Sequence, residues 1–190
     1  MAATPAIPAI PADRAVSGAV VTAIHVAPGR RLPMRAVGSV AAEAGVGLVG
    51  DRYHGSRHRH VTVQSAARLA EAADRLGAPV PLPGTRRNIT VDTGDVVSVP
   101  GAQARIGPVL LEVVRVAAPC RILDDEVGPG AAAALHARAG TVFRIVEGGD
   151  IAVGDAYVEL PFTPEEAAAR ATRSREAASI RAGAGARRLP

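Results

Sequence analysis

The sequence predicts a mainly β, β-rich α+β fold: a distorted, mostly antiparallel β-barrel with a few short helices. Three observations predict it. Short apolar runs recur along the chain with glycine-rich turns between them, too closely spaced for a helix to follow every strand. Within that region only SAARLAEAADRLG and GAAAALHARAG read as helices. The chain has 190 residues, 48% of them hydrophobic, which suffices for one well-buried domain and falls short of two large ones.

Residues 1–17 are broken repeatedly by proline and lack both a basic leading region and an unbroken apolar core. They are expected to be unstructured, forming neither a signal peptide nor a membrane span, and the expected location is the cytoplasm. The barrel domain is expected over residues 18–160. In GAVVTAIHVAP, Val20, Thr22, Ile24 and Val26 share one parity ahead of Pro28 and Gly29, which is the period of a strand. AVGSVAAEAGVGLVGD is a second extended region with glycines at 38, 45, 47 and 50, and RHVTVQ opens another strand. The helix SAARLAEAADRLG has Ser65 to cap its start and Gly77 to stop it, and the loop APVPLPG follows. RNITVD, AQARIG, VLLEVVRV, TVFRIVEG and DAYVEL then read as short strands, with GAAAALHARAG a short helix among them. Beyond Phe162 the character changes. Thr163, Pro164 and Glu166 stand in capping-box positions, so residues 161–190 are expected to begin as an Ala/Arg-rich helix and to end disordered.

The basic balance excludes some chemistry. All 22 Lys+Arg residues are arginine, against 18 Asp+Glu, and without lysine the chain cannot hold pyridoxal phosphate as a Schiff base. A net charge of +4 with only 2% aromatic residues leaves few platforms for base stacking, so no nucleic-acid partner is expected. The single cysteine, Cys120, cannot form an internal disulfide.

Candidates for chemistry lie in three places. GLVGDRYHGSRHRH gathers Asp51, Arg52, His54, Arg57, His58, Arg59 and His60 between two expected strands. His54 and His58 have a metal-friendly spacing on a helix, but Gly50 and Gly55 argue against a helix there and no second cysteine completes a zinc set. An arginine-rich loop punctuated by glycine suits an anion, because guanidinium offers a bidentate fork to phosphate or carboxylate. In PGTRRNITVD, Arg86 and Arg87 precede Asn88 at a loop edge, within reach of a ligand, and the Asn88 amide suits a heterocycle edge. The third place is APCR. On the residues alone a lone cysteine reads first as a small buried hydrophobe without reactivity. Two details count against that: Pro119 ends the strand just ahead of it and Arg121 follows. A thiol at a strand end near guanidinium groups is open to a lowered pKa and to a role as nucleophile or soft metal ligand.

The stretches GLVGDRYHG, RHVTVQS, PGTRRNI, IGPVLLEVVRVAAPC and GTVFRIVEGGDIAVGD, in this order, resemble the MOSC domain, a family named for the C-terminal part of molybdenum cofactor sulfurases. The resemblance covers residues 18–160. It implies a β-rich distorted barrel in which Cys120 is the functional thiol, either coordinating the molybdenum of the pterin cofactor or carrying sulfur as a persulfide. It also implies that Asp51, Arg52 and His54, from a GD-x-H motif, and Arg86, Arg87 and Asn88, from an xNI motif, line the cofactor pocket with Arg59, Pro119 and Arg121. Many members carry glutamate where this chain has Arg87; the arginine form resembles small bacterial stand-alone members.

These observations set the expectations for function. The leading one is molybdenum cofactor binding that serves either reduction, for example of N-hydroxylated compounds, or sulfur and cofactor transfer; whether the chain is an enzyme stays open. Reductase members of the family have an additional N-terminal domain, so a reductase cycle here calls for a partner chain, a dimer contact or a smaller ligand. The partners expected are a pterin or other small molecule and a reductase or cofactor-delivery protein. A homodimer is one way to hide the edges of a curved sheet. The rival is a non-catalytic module whose arginines hold some other anion while Cys120 is inert.

Overall fold

The computed structural model describes residues 18–185, so the segment 1–17 and the last residues, 186–190, lie outside the described residues. Eleven strands and four α-helices follow one another in it. They are β1 (Ala19–Val26), β2 (Arg35–Val37), β3 (Ser39–Glu43), β4 (Gly47–Leu48), β5 (Val61–Ser65), α1 (Ala66–Leu76), β6 (Ile89–Val91), β7 (Gln103–Ile106), β8 (Val109–Val116), α2 (Ile122–Glu126), α3 (Ala131–Ala134), β9 (Thr141–Glu147), β10 (Gly149–Ala152), β11 (Ala156–Glu159) and α4 (Pro164–Gly185). The strand order β11-β7-β8-β9-β5-β6-β1 closes on itself through pairing of β1 with β11, which makes a seven-stranded barrel. β2 extends the sheet beyond β1, and β10, β3 and β4 form a separate three-stranded sheet.

All pairs are antiparallel except β5 and β6, which run parallel, so the barrel is mixed. The exception follows from local sequence. Ser65 ends β5 and also caps α1, its Oγ accepting from the Arg68 N–H, and Gly77 stops the helix at φ 70. That helix carries the chain back across the barrel to start β6 in the same direction as β5.

The main core cluster joins Val61, Val63, Ile89, Val91, Ile106, Leu111, Val113, Phe143 and Ile145 of the barrel strands to Leu48 and Ile151 of the three-stranded sheet. A smaller apolar cluster of Leu69, Ala72, Leu123, Ala131, Leu135 and Ala139 packs α1 against α2 and α3. The expected single parity of β1 does not hold: Val21 and Ile24 are buried, because the register against β6 slips between Val21 and Ala23. Such a bulge switches which side chains face inward.

Helix α4 starts as its capping box predicts. The Thr163 N–H donates to Glu166 Oε2, and the Glu166 N–H donates to Thr163 Oγ1. The helix lies along the outside of β8 and β9 with Ala167 and Ala178 buried, while Ile180 points away at 73% exposure. Polar groups hold it in place: Arg170 Nε donates to the Gly101 carbonyl at 2.8 Å and Arg144 Nη1 to the Ser174 carbonyl at 3.1 Å. Gly101 has φ +84, and a side chain there would run into the Ala167 carbonyl, so only glycine allows the helix this close. Among the described residues no helix is long and apolar enough to cross a membrane.

Candidate functional site

Cys120 is exposed in the loop that joins β8 to α2. Strand β8 ends at Val116, and Pro119 follows in irregular chain. Arg87, which interacts electrostatically with Cys120, is buried, donating from Nε to the Ala139 carbonyl at 2.7 Å and from Nη2 to the Ala118 carbonyl at 3.4 Å. It thereby ties the approach to Cys120 to the approach to β9. Burial pushes its pKa down to about 10, helped by the charge of Arg59 and opposed by that of Cys120; the group stays cationic at neutral pH.

Arg59 and Arg52 complete a cationic cluster. Tyr53 presents its ring to both, with the Arg59 guanidinium 4.1 Å and that of Arg52 4.8 Å from the ring centroid. These are cation–π distances. Burial holds Arg59 below its ordinary value, and Arg52 and Arg115 push the same way against Tyr53 and Asp51. The buried Arg59 Nε–H has no hydrogen-bond partner among the described residues. Arg52 and Asp51 pair at 3.4 Å, so one carboxylate sits among the guanidiniums of residues 52, 59 and 87. Cationic groups gathered and desolvated in this way are costly without an anion to complete them.

The other expected site residues are engaged elsewhere. Arg86 takes a left-handed conformation at φ 56 and directs its side chain to Glu126 Oε1 and the Leu32 carbonyl, each at 3.0 Å. Both Arg86 and Arg87 are buried, so neither is the loop-edge side chain that its position suggested. The Asn88 amide is saturated: Nδ2 donates to the His25 carbonyl and to Asp51 Oδ2, while Oδ1 accepts from the N–H and the hydroxyl of Thr62. Nothing of it is left for a heterocycle edge. Asp51 is likewise full, accepting also from the N–H groups of Ala27 and Tyr53. His54 Nε2 lies 2.9 Å from Glu43 Oε2 on β3, and His58 is exposed. Among the described residues no group of three or more His, Cys, Asp or Glu side chains could hold a metal ion. Arg121 is exposed at the start of α2.

Two members of the cluster escaped the sequence reading. Tyr53 stands inside the GDRYHG stretch between residues that were singled out, and the aromatic flanked by arginines was the available signal. Arg115 is exposed near the end of β8, where the register against β9 slips between Val113 and Arg115, so strand alternation carried no signal for it.

A cavity of about 510 Å³ lies apart from this cluster, between α4 and the barrel wall.

No curated protein matches the chain in sequence. Solved structures match in fold. The YuaD protein of Bacillus subtilis superposes with a TM-score of 0.68 at 16% identity, over 77% of this chain and 98% of that one. YiiM of Geobacillus stearothermophilus gives 0.61 at 17% identity, covering 75% of each chain. YiiM of Escherichia coli gives 0.57 at 16%, over 79% of this chain and 76% of its own. The family model described as the MOSC domain matches residues 50–158, a span that runs from the Asp51 loop through Cys120 to β11. The chain belongs to the MOSC domain family.

Proposed function

We propose that the Cys120 face binds an oxyanion-bearing molybdenum pterin cofactor, with Cys120 as the thiolate ligand of the metal and Arg59 and Arg87 as the anion-holding groups. The observation that carries this reading is the desolvated guanidinium cluster beside an exposed thiol, with a buried Arg59 N–H left without a partner. The donor set fits the group in kind: soft sulfur for molybdenum, planar guanidinium for phosphate. When bound, the cofactor supplies two-electron chemistry at the metal.

The chain's own residues divide the remaining work. Tyr53 holds the planes of Arg52 and Arg59, Arg87 stays charged against its two carbonyl partners, and the loop at Cys120 leaves the thiol open to solvent. Asp51, Asn88 and Arg86 serve as framework beneath the site. Reduction of an N-hydroxylated compound breaks the N–O bond, consumes an electron pair and two protons and releases water, so it calls for a separate electron-donor protein. Sulfur or cofactor transfer calls instead for a delivery partner that reaches Cys120. A reducing cytoplasm suits either use of a free thiol.

The saturation of Asn88 favours the simpler alternative, an anion-binding module in which Cys120 is idle, because it removes one group that would read a pterin edge. The two separate on metal and pterin analysis of protein made in a host that produces the cofactor, wild type beside Cys120→Ala. Molybdenum near one per chain, lost in the variant, is the expected result. Anion binding that persists in both proteins with no molybdenum in either would leave only the module.

A further inference from the structure

The cavity beneath α4 is built differently from a packing defect. Along β8, Val109, Leu111 and Val113 belong to the interior and Glu112 faces outward; along β9, Phe143 and Ile145 face inward and Arg144 outward. Glu112 and Arg144 are directly opposite in the β8–β9 register, an ion pair at 3.4 Å on the outer wall of the barrel. An outward-facing pair would ordinarily meet water, yet Glu112 is only 5% exposed. Helix α4 covers it, and Ser174 donates its hydroxyl to Glu112 Oε1 at 2.7 Å.

Around that pair α4 stands off from the wall and leaves about 510 Å³, within the range of roughly 300–1,000 Å³ usual for small-molecule sites. Arg57 enters from the loop ahead of β5, Arg144 from the barrel and Arg173 from the helix, with Ser56 and Ser174 between them. Three guanidiniums and one carboxylate thus line it: Arg144 pairs with Glu112 through Nε and donates to the Ser174 carbonyl, Arg57 donates to the Ala178 carbonyl at 3.1 Å, and Arg173 stands exposed at the rim. Ile145, Val146, Ala177 and Ala178 supply apolar wall.

We propose that this cavity is a second binding site, independent of the Cys120 face, for a small phosphate-bearing molecule. An excess of two positive charges matches a phosphate monoester near neutral pH, guanidinium forks suit its oxygens, and the apolar wall takes the body that carries it. The loop that brings Arg57 to this cavity also brings Arg59 to the Cys120 face, so the two sites share one short segment.

The test is calorimetric titration of the full chain with inorganic pyrophosphate at low salt. Four variants are compared with wild type: Arg59→Ala, Arg173→Ala, the double variant Arg57→Ala/Arg173→Ala, and Arg175→Ala, an exposed helix arginine outside the cavity. We expect Arg59→Ala to keep a pyrophosphate site, the double variant to lose at least about tenfold in affinity for it, and Arg175→Ala to bind as wild type does. Arg57 and Arg173 are both exposed and Arg57 gives up one bond, to the Ala178 carbonyl, so folding of these variants, checked by circular dichroism for retained α4 helix, should be intact. Affinity unchanged in the double variant, or equal losses with Arg175→Ala, would overturn the proposal. If instead Arg59→Ala leaves every pyrophosphate site in place, the reading of the Cys120 face fails while this one stands.

Discussion

Asn88 donates its side-chain amide to Asp51 Oδ2 at 3.0 Å, joining two motifs 37 residues apart beneath the cationic cluster. The same amide also holds the His25 carbonyl and Thr62, so its removal strands several buried partners at once. Asn88→Ala is expected to cost about 3 kcal/mol of stability, more than an isolated hydrogen bond is worth. Urea unfolding reads it directly, and a loss below about 1 kcal/mol would mean that water replaces the amide without strain.

Arg59 should behave in the opposite sense. It is a cation desolvated among other cations, so Arg59→Met is expected to leave stability unchanged or raise it by about 1 kcal/mol at low salt. Added phosphate should then stabilise the wild type more than the variant, because only the wild type gains binding energy from it. A variant clearly less stable without phosphate would show that Arg59 is framework.

A third expectation concerns pH. Burial holds the His25 imidazole below its ordinary pKa, and its Nδ1 is buried without a hydrogen-bond partner. The folded state therefore resists a proton that the unfolded chain accepts near pH 6.5. Stability from this group is fully present above about pH 6.5 and declines as the pH falls from there toward the lower folded value. His25→Leu should flatten that part of the profile; equal slopes for the two proteins in urea unfolding between about pH 5 and 8 would assign the decline to other groups.

At Gly101 the backbone has φ +84 and α4 passes too close for any side chain. Gly101→Ala should loosen the helix while the barrel persists. Amide exchange would show protection lost across residues 164–180 and retained in β8 and β9. Unchanged protection in the helix would mean that α4 shifts to accommodate the methyl.

Cys120 is exposed, so Cys120→Ser should alter stability by less than about 0.5 kcal/mol. Iodoacetamide should label the native wild type at one position and the variant at none. Native protein that labels only after unfolding would contradict the open thiol on which the proposed function depends.

Much of the architecture was legible from local rules. Ser65 and Gly77 bounded α1 and Thr163 with Glu166 opened α4, because capping is settled within a few residues. The family followed from motif order, and the β-rich barrel from strand spacing. Features that depend on distant contacts were not legible. The parallel pairing of β5 with β6 needs the crossover through α1, and the inward face of β1 was reversed in part by a register slip against β6. Strand β10 was hidden in a glycine-rich stretch. At the candidate site the sequence showed which residue types gather but not what engages them: Arg86 goes to Glu126 and Asn88 to Asp51, partners 40 and 37 positions away.

Closure of the barrel between its first and last strands has a consequence for synthesis. Ala19 pairs with Tyr157, so no shorter nascent chain can complete the ring. While the chain emerges from the ribosome, β1 waits with one edge open until β11 arrives, and the ordering entropy of the whole intervening chain falls due before that last pairing rewards it. The domain is therefore expected to fold late and slowly. During that interval an open strand edge is exposed to neighbouring chains, and crowded expression is where aggregation should first appear.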